Sequence, residues 1–368
     1  MKKLTIQDLK DITIGATLFG SGGGGSPENG LQLVDEIAKI TNEITLLEPG
    51  EVPDNKYIAM IAGMGSPVAL KEKGFGPEAI HAFEGLEKIY GWAGIKFEYI
   101  MPCETGGFNT IVPIYVAAVK KLSVVDADGA GGRAVPELCT MLYYLYGIPT
   151  SPFVIADKEG NMIIGWTVDP LNAPLCEEVA RYVVTAFGQE AGLGTWVVSG
   201  HQVKTYLEPN VIWNSLEVGR AIREAKEKGV DPVKKVLEAV EGYELIRGEI
   251  KGIETKTVGG FDFGKTVIEG IGDYAGKTLT IDFKNENMIA WKAEGEPVAM
   301  VPDKICLMTL DGDPVTNADT KVGMKIAVLG FKASERWRKH PKGFDVWRHI
   351  LEKMGYTKDY IPIEKLVE

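Results

Sequence analysis

Cysteine and histidine are scarce in this chain of 368 residues, which has four of each. The cysteines are widely scattered and form no CxxC pair, and the histidines form no HxH or HxxxH pattern. This spacing excludes a zinc ribbon and a disulfide-stapled scaffold, and it predicts buried thiols in a reducing compartment. Cys103, which lies beside Glu104, is the thiol that we would test for reactivity.

Long apolar runs are also missing, since no stretch approaches the roughly 20 residues that span a bilayer. Polar residues from Gln7 to Asp11 interrupt the segment where a signal peptide would be apolar. A net charge of -11 disfavours nucleic acid and anionic membranes as partners. We therefore expect a cytoplasmic protein that binds neither nucleic acid nor membranes, and we expect it to form a homo-oligomer.

The chain is 45% hydrophobic, which is enough for a sizeable core and for two domains. Predicted strands alternate with helices up to about Thr167, and this order indicates an α/β domain (residues 1–167) with a mostly parallel sheet. Residues 168–368 are predicted to form a second domain. In it a helical linker region precedes a β-rich core at about residues 245–331, which reads as a small barrel or sandwich.

A run of glycines, Gly20–Gly25, joins two predicted helices and matches the pattern G-x-G-x-x-G. A dinucleotide site requires a strand before this loop, so a nucleotide is disfavoured. Four successive glycines nevertheless expose amide groups, and Ser26 and Pro27 begin the next helix well. We predict that Gly22, Gly23, Gly24, Gly25 and Ser26 contact an anionic or carbonyl group of a ligand. The alternative is a flexible linker.

The segment Asp126–Arg133 follows an apolar strand at Leu122–Val125 and precedes a predicted helix at Pro136–Tyr146. In open α/β sheets, ligands bind outside the carboxyl ends of strands. Asp126 and Asp128, spaced i, i+2, could bind a divalent cation or share a proton. We assign catalytic roles to Asp126, Asp128, Arg133 and Glu137. The alternative is a turn with a structural Arg–Asp pair.

Two further glycine motifs follow predicted strands in the same way. Cys103–Asn109 comes after the strand Ile95–Met101 and opens a predicted helix at Gly106–Lys121, whereas Gly63–Pro67 follows the strand Tyr57–Ala62. If these strands are parallel neighbours, their ends meet at one edge of the sheet. We therefore predict that Glu104, Gly107 and Asn109 contact the ligand.

Two isolated polar residues complete the candidate site. His201 follows a strand-like segment, and Glu286 lies in Asn285–Asn287, which is either an ordinary hairpin turn or a polar edge facing the cleft between domains. The segment Gly259–Thr266 matches the P-loop pattern, but β-branched residues follow it instead of a helix. We predict a β-turn there, so ATP use is only a third hypothesis. No GxSxG elbow indicates a serine hydrolase.

Taken together, these motifs resemble the S-methyl thiohydantoin desulfurase-like family, which is related to hydantoinases and oxoprolinases. The matching stretches are Gly15–Gly25, Asp126–Leu138, Ser199–Lys204, Gly259–Lys265, Phe283–Asn287 and Val301–Asp303. The resemblance implies an N-terminal α/β sandwich domain and a C-terminal barrel-like domain. It also implies chemistry on five-membered cyclic ureides, either hydrolytic loss of sulfur from a thiohydantoin or a partner role beside a hydantoin-opening enzyme.

The leading hypothesis is a hydrolase for a small cyclic amide or thioamide. Asp126 or Asp128 would activate water, directly or through a divalent metal, while the amides of Gly22–Gly25 would stabilise an oxyanion. Arg133 would orient an acidic arm of the substrate. The alternative is a non-catalytic ligand-binding or partner subunit of a hydantoinase-type enzyme.

Overall fold

The computed structural model describes residues 1–65, 74–258 and 260–367. The helices in these ranges are α1 (Ile6–Phe19), α2 (Pro27–Ile40), α3 (Pro77–Gly91), α4 (Ile111–Lys120), α5 (Leu142–Leu145), α6 (Ala173–Ala186), α7 (Gly200–Tyr206), α8 (Val211–Lys228), α9 (Pro232–Ala239), α10 (Glu335–Arg338), α11 (Asp345–Lys353) and α12 (Ile363–Leu366). None of the described helices is long and apolar enough to span a membrane.

The first eight-stranded sheet has the order β1-β2-β5-β4-β3-β9-β7-β8. Its strands are β1 (Lys2–Thr5), β2 (Glu43–Leu47), β3 (Tyr57–Gly65), β4 (Tyr99–Pro102), β5 (Ser123–Val125), β7 (Phe153–Ala156), β8 (Met162–Gly165) and β9 (Glu190–Ser199). Only β2, β5, β4 and β3 run parallel to one another, and the other neighbours pair antiparallel. The sheet is thus mixed, and the expectation of a mostly parallel sheet was wrong.

Strand β9 takes part in two of the four antiparallel pairings of this sheet. It lies beyond residue 167, yet it inserts between β3 and β7 and pairs antiparallel with both of them. The hairpin of β7 and β8 agrees with the sequence, because Val154 pairs with Ile164 across a turn at residues 157–161. A short pair, β6 (Ala127–Asp128) with β10 (Glu208–Pro209), ties the acidic loop to the second half of the chain.

The second sheet is antiparallel, with the order β15-β14-β13-β12-β11-β18-β16-β17. Its strands are β11 (Tyr243–Val258), β12 (Phe261–Gly270), β13 (Thr278–Lys284), β14 (Glu286–Ala293), β15 (Glu296–Met300), β16 (Lys304–Thr309), β17 (Pro314–Val315) and β18 (Lys325–Phe331). The expected β-rich domain is confirmed. Among the described residues no ladder joins the edge strands β15 and β17, so a closed barrel stays a prediction.

Part of the P-loop match, Gly259, lies outside the described residues. The rest of that match forms the β11–β12 hairpin, in which Val258 pairs with Phe261 and Lys265 pairs with Glu254. Lys265 therefore lies on a strand, as the β-turn interpretation predicted. A P-loop lysine would instead begin a helix under a phosphate group.

Two predicted helices near the acidic loop differ from the structure. Residues Pro136–Tyr146 form only a 3-10 turn at Leu138–Thr140 and the short α5, because the amide of Leu142 donates to Gly129 O and that of Leu138 donates to a side chain of α6. Helix α4 begins at Ile111 and not at Gly106. Tertiary contacts of the loop backbone override the helical pattern in both segments.

Helices α1 and α8 join the two halves of the chain through close backbone contact. A Cβ atom on Gly15 would lie 1.9 Å from the carbonyl oxygen of Ser215, and one on Gly219 would lie 1.8 Å from that of Asp11. Only glycine permits this approach. Arg223 of α8 also binds both carboxylate oxygens of the buried Asp11, at 2.9 Å and 3.2 Å from Nε. The strands and loops of the two sheets are thereby held against each other.

Candidate functional site

The three glycine motifs lie at one edge of the first sheet, as predicted, because β3, β4 and β5 are parallel neighbours. Asn109 joins two of the motifs, since its Oδ1 accepts from the amide of Gly63 at 2.9 Å. The amide of Thr105 donates to Arg133 O at 3.1 Å and joins the second motif to the third. Ser66 and Pro67, which belong to the first motif, lie outside the described residues.

The loop Gly20–Gly25 packs directly on the second motif. Gly24 O accepts from the amides of Phe108 and Asn109, each at 3.2 Å. A Cβ atom on Gly106 would lie 2.3 Å from the Cα of Gly24, so both positions require glycine. These contacts hold the loop in one conformation, which a flexible linker would lack, while its contact with a ligand stays a prediction.

The same loop also contacts the second sheet. The backbone amide of Asn287 donates to Ser21 O at 2.7 Å, and the backbone amide of Asn317 donates to Gly22 O at 2.9 Å. In the described part of the chain, the amides of Gly22, Gly24 and Gly25 donate to no protein acceptor. The loop therefore presents free amide donors between the two domains, which is the property that oxyanion binding requires.

Glu286 and Glu104 are buried carboxyl groups that belong to this same contact. The Glu286 carboxyl lies against the loop, because a Cβ atom on Gly23 would be 1.9 Å from Glu286 Oε1. Glu104 Oε1 accepts from Asn109 Nδ2 at 2.8 Å, and its Oε2 accepts from the amide of Val135 at 3.0 Å. We call Gly22–Gly25, Glu104, Asn109, Arg133 and Glu286 the interdomain cluster.

Burial raises the pKa of both carboxyl groups of the cluster. The pKa of Glu104 rises to about 7, although its hydrogen bonds and the charge of Arg133 oppose the shift. The pKa of Glu286 rises to about 8, through burial first and through repulsion by Glu104 second. Glu286 Oε2 has no hydrogen-bond partner among the described residues, so none of them replaces the water that the ionised carboxylate loses. Both groups are therefore easier to protonate than an exposed glutamate.

Arg133 is fully buried and holds main-chain carbonyls of both domains. Its Nε donates to Ala134 O at 3.0 Å, Nη1 donates to Asp303 O at 2.8 Å, and Nη2 donates to Asn287 O at 3.1 Å. The guanidinium also lies 5.2 Å from the ring centre of Trp347. Arg133 is thus a fixed positive charge in the cluster and holds the second sheet in place.

Asp126 caps helix α8. Its Oδ1 accepts from the amide of Ile212 at 2.8 Å and from that of Trp213 at 3.4 Å, where the positive end of the helix dipole favours a carboxylate. Asn210, in the left-handed conformation, donates its amide to Asp126 O at 3.0 Å. Burial raises the pKa of Asp126 to about 6.

Asp128 holds the acidic loop closed. Its Oδ1 accepts from the amides of Ala130, Gly131 and Gly132 at 2.9 to 3.1 Å, and its Oδ2 accepts from Thr105 Oγ1 at 2.7 Å. The amide of Gly132 also lies 3.2 Å from Oδ2, so protein donors surround both oxygens and disfavour a metal ion or an activated water at Asp128. Asp126 and Asp128 bind different donors, and neither belongs to a three-residue group of metal-ligating atoms in the described residues.

Three further residues that the sequence predicted as ligand contacts are not part of the interdomain cluster. Ser26 Oγ caps α2 by accepting from the amide of Glu28, and Gly107 packs against Thr17 and Pro27. His201 is exposed on α7 near Asp54, and the structure does not bring it to the interdomain cluster. Its position after a strand did not distinguish a site histidine from a surface one.

Glu137 joins a group that the sequence analysis missed. It forms an ion pair with the buried Lys284, and its Oε2 accepts from His349 Nε2 at 2.6 Å and from Cys139 Sγ at 3.1 Å. Cys103, Cys176 and Cys306 are buried, whereas Cys139 is half-buried. Burial raises the pKa of Cys103 well above its usual value, so a reactive thiol there is disfavoured. In the sequence, the spacing Glu-x-Cys at Glu137 and Cys139 was the signal that could have revealed this group.

Replacing Gly23 by alanine should disturb Glu286 specifically. The backbone of Gly23 is not left-handed, so the cost comes from the new Cβ, which would overlap the Glu286 carboxyl. We expect a loss of about 1–3 kcal/mol in the free energy of unfolding, typical of overpacking. In a double-mutant cycle measured by urea denaturation, Glu286→Ala should relieve most of this loss.

Gly50→Ala is the matched control for this cycle, because a Cβ atom there would meet nothing within 4 Å. It should change the free energy of unfolding by no more than a few tenths of a kcal/mol. If the effects of Gly23→Ala and Glu286→Ala were additive, the carboxyl of Glu286 would not rest on the glycine loop.

Comparison with known proteins places the chain in a family. The model named S-Me-THD-like, N-terminal domain, matches residues 7–165, and the model named S-Me-THD-like, C-terminal domain, matches residues 172–363. The chain belongs to the S-Me-THD-like family, which confirms the resemblance seen in its motifs. A crystal structure of a protein from Chromobacterium violaceum is similar, with a TM-score of 0.85 and 26% identity over 99% of this chain and 100% of that one. No curated protein matches the chain.

Proposed function

We propose that this protein hydrolyses a five-membered cyclic amide or thioamide of the hydantoin or thiohydantoin type. In this proposal the reaction takes place at the interdomain cluster, with Glu104 and Glu286 as the acid–base pair. Membership of the S-Me-THD-like family supports the class of substrate. The observation that carries the proposal is the pair of buried carboxyl groups at the contact with the glycine loop, and burial raises the pKa of both.

Two carboxyl groups with raised pKa values can divide the work of hydrolysis. Because Glu104 and Glu286 repel each other when both are charged, the state with one proton between them is favoured near neutral pH. The ionised group would accept a proton from the attacking water. The protonated group would give its proton to the leaving nitrogen or sulfur atom, so that charge is balanced in each step.

The glycine loop would stabilise the negative charge that develops on the substrate. The free amides of Gly22, Gly24 and Gly25 belong to the loop whose Gly23 meets the Glu286 carboxyl, and Arg133 adds a fixed positive charge. The sequence led us to expect that Asp126 or Asp128 activates water, whereas in the structure both carboxylates accept hydrogen bonds from backbone amides. In the present proposal they keep the loop and helix α8 in place, and Glu137 is not part of the acid–base pair.

The proposal is tested by turnover of an S-methylated thiohydantoin and a hydantoin, with thiol release and ring opening followed separately. Glu104→Gln and Glu286→Gln should each lower kcat by about 10²–10⁴, the usual contribution of a general acid or base. Glu294→Gln, an exposed glutamate in the turn after β14, is the matched control and should leave kcat unchanged. Wild-type turnover in both folded glutamine variants would contradict the proposal.

A non-catalytic ligand-binding or partner role remains the second candidate, and burial of the cluster favours it. Glu104 and Glu286 are only 8% and 4% exposed, so a substrate reaches them only if the protein opens. A partner enzyme of the hydantoinase type could provide that opening. Co-purification with such an enzyme, together with ligand binding in the absence of turnover, would favour this candidate over the hydrolase.

A further inference from the structure

Glu137, Cys139 and His349 form a compact set of potential metal ligands that the acid–base proposal does not use. The ligand atoms of these three side chains all lie within 4.8 Å of one another, a property that no other group shares among the residues that the structure describes. Glu137 and Cys139 belong to the segment after the acidic loop, and His349 lies on α11. Folding therefore brings together donors that are 212 residues apart.

The donor atoms are one carboxylate oxygen, one sulfur and one imidazole nitrogen. Calcium and magnesium take oxygen ligands, whereas thiolate and imidazole select Zn²⁺ and similar transition-metal ions. Three protein ligands with a fourth position open to solvent are typical of zinc sites that bind a water or a small molecule. The chemistry of the set thus points to a zinc-type ion.

The distances are close to those that such an ion requires. Glu137 Oε2 lies 2.6 Å from His349 Nε2 and 3.1 Å from Cys139 Sγ. Around a tetrahedral zinc ion with bonds of about 2.0–2.3 Å, neighbouring ligand atoms are roughly 3.3–3.6 Å apart. These two separations must widen by no more than about 1 Å, while Cys139 Sγ and His349 Nε2 lie within 4.8 Å of each other. The His349 side chain is 44% exposed, so small shifts of it meet solvent on one side.

Lys284 orients the carboxylate of Glu137. Its ammonium group is buried over the rings of Phe261, at 4.0 Å, and Phe263, at 5.4 Å, and it pairs with Glu137 Oε1. This contact leaves Oε2 facing Cys139 and His349. A partner that fixes the orientation of a ligand is a regular component of metal sites in proteins.

We propose that Glu137, Cys139 and His349 bind one divalent zinc-type ion per chain. On binding, Cys139 loses its proton to solvent and coordinates as a thiolate, while the proton that His349 carries on Nε2 moves through solvent to Nδ1, which leaves Nε2 free to coordinate. Glu137 contributes Oε2, and solvent fills the fourth position. This site stands or falls independently of the hydrolase proposed for Glu104 and Glu286.

The test is titration of the chelator-treated, full-length protein with Co²⁺, followed by competition with Zn²⁺. We expect one Co²⁺ per chain, tetrahedral absorption bands and a near-ultraviolet thiolate-to-cobalt charge-transfer band. Cys139→Ser should abolish the charge-transfer band. His349→Gln, at a half-exposed position, should weaken Co²⁺ binding by about 100-fold or more, since even partners of ligands contribute about 10–100-fold.

His340→Gln is the matched control, because His340 packs against Tyr146 and belongs to no ligand set. It should bind Co²⁺ as the wild type does. The proposal is overturned if the wild-type protein gives no charge-transfer band. It is equally overturned if the band and affinity persist in both Cys139→Ser and His349→Gln, because the ion would then lie elsewhere.

Discussion

Arg133→Met should lower the free energy of unfolding by about 3–5 kcal/mol, the usual result of removing one partner from a buried charged network. Methionine has a similar volume, so the loss comes from the carbonyl oxygens of Asp303 and Asn287, which would lose their donor. Glu104 and Glu286 would also lose the positive charge that favours their ionised forms. Chemical denaturation followed by tryptophan fluorescence measures this change, with Trp347 beside the guanidinium.

Two further variants serve as controls for this prediction. Arg348→Met removes an exposed arginine that pairs with Asp345 and Asp359, and it should cost at most about 1 kcal/mol. Arg133→Lys keeps the charge but loses the planar set of donors, so its loss should lie between the other two. If Arg133→Met and Arg348→Met had equal effects, Arg133 would not hold the two domains together.

The local parts of the site could be predicted from the sequence. Glycine runs after apolar strands mark tight turns at strand ends, and parallel neighbours bring those ends to one edge. The contact between Gly63 and Asn109 follows from these two facts, whereas that of Gly24 with Gly106 does not, because the loop Gly20–Gly25 follows a helix. Ser26 as the cap of α2 likewise follows from residue type and position alone. Such signals depend on residues within a few positions of one another.

The roles of the charged residues could not be predicted in this way, because their partners are distant in the chain. Arg133 donates to carbonyls that are 154 to 170 residues away, and the amide capped by Asp126 is 86 residues away. The pattern Asp-x-Asp is the same whether a carboxylate binds a metal ion or caps a helix. Only the approach of α8 decides between these roles.

The mixed topology of the first sheet has a similar origin. Strand β9 has the alternation and apolar residues of any buried strand, and its neighbours β3 and β7 are set by how α6 returns the chain to the sheet. The sequence located the strand but not its register or direction. The electrostatic effect of Glu104 on Glu286 also depends on this packing, because Glu104 follows a strand of the first sheet and Glu286 begins a strand of the second.

Glu286→Gln should stabilise the protein by an amount that grows as the pH rises. The pKa of Glu286 is raised from 4.5 to about 8 in the folded protein, mainly by burial. Between these values the folded state keeps a proton that the unfolded chain has released. Wild-type stability therefore falls by about 1.4 kcal/mol per pH unit through this group, and glutamine removes that dependence.

Urea denaturation of the wild type and of Glu286→Gln at several pH values from about 5 to 8 measures this difference in the free energy of unfolding. The control is Glu294→Gln, at an exposed position, whose free energy of unfolding should differ from that of the wild type by the same amount at every pH. Above pH 8 the difference should level off, because Glu286 is then ionised in both states. Glu104 repels the ionised Glu286, so Glu104→Gln should lower the pKa of Glu286 and make the difference level off at a lower pH. A difference independent of pH would mean that Arg133 already neutralises an ionised Glu286, and the cluster would then lack its shared proton.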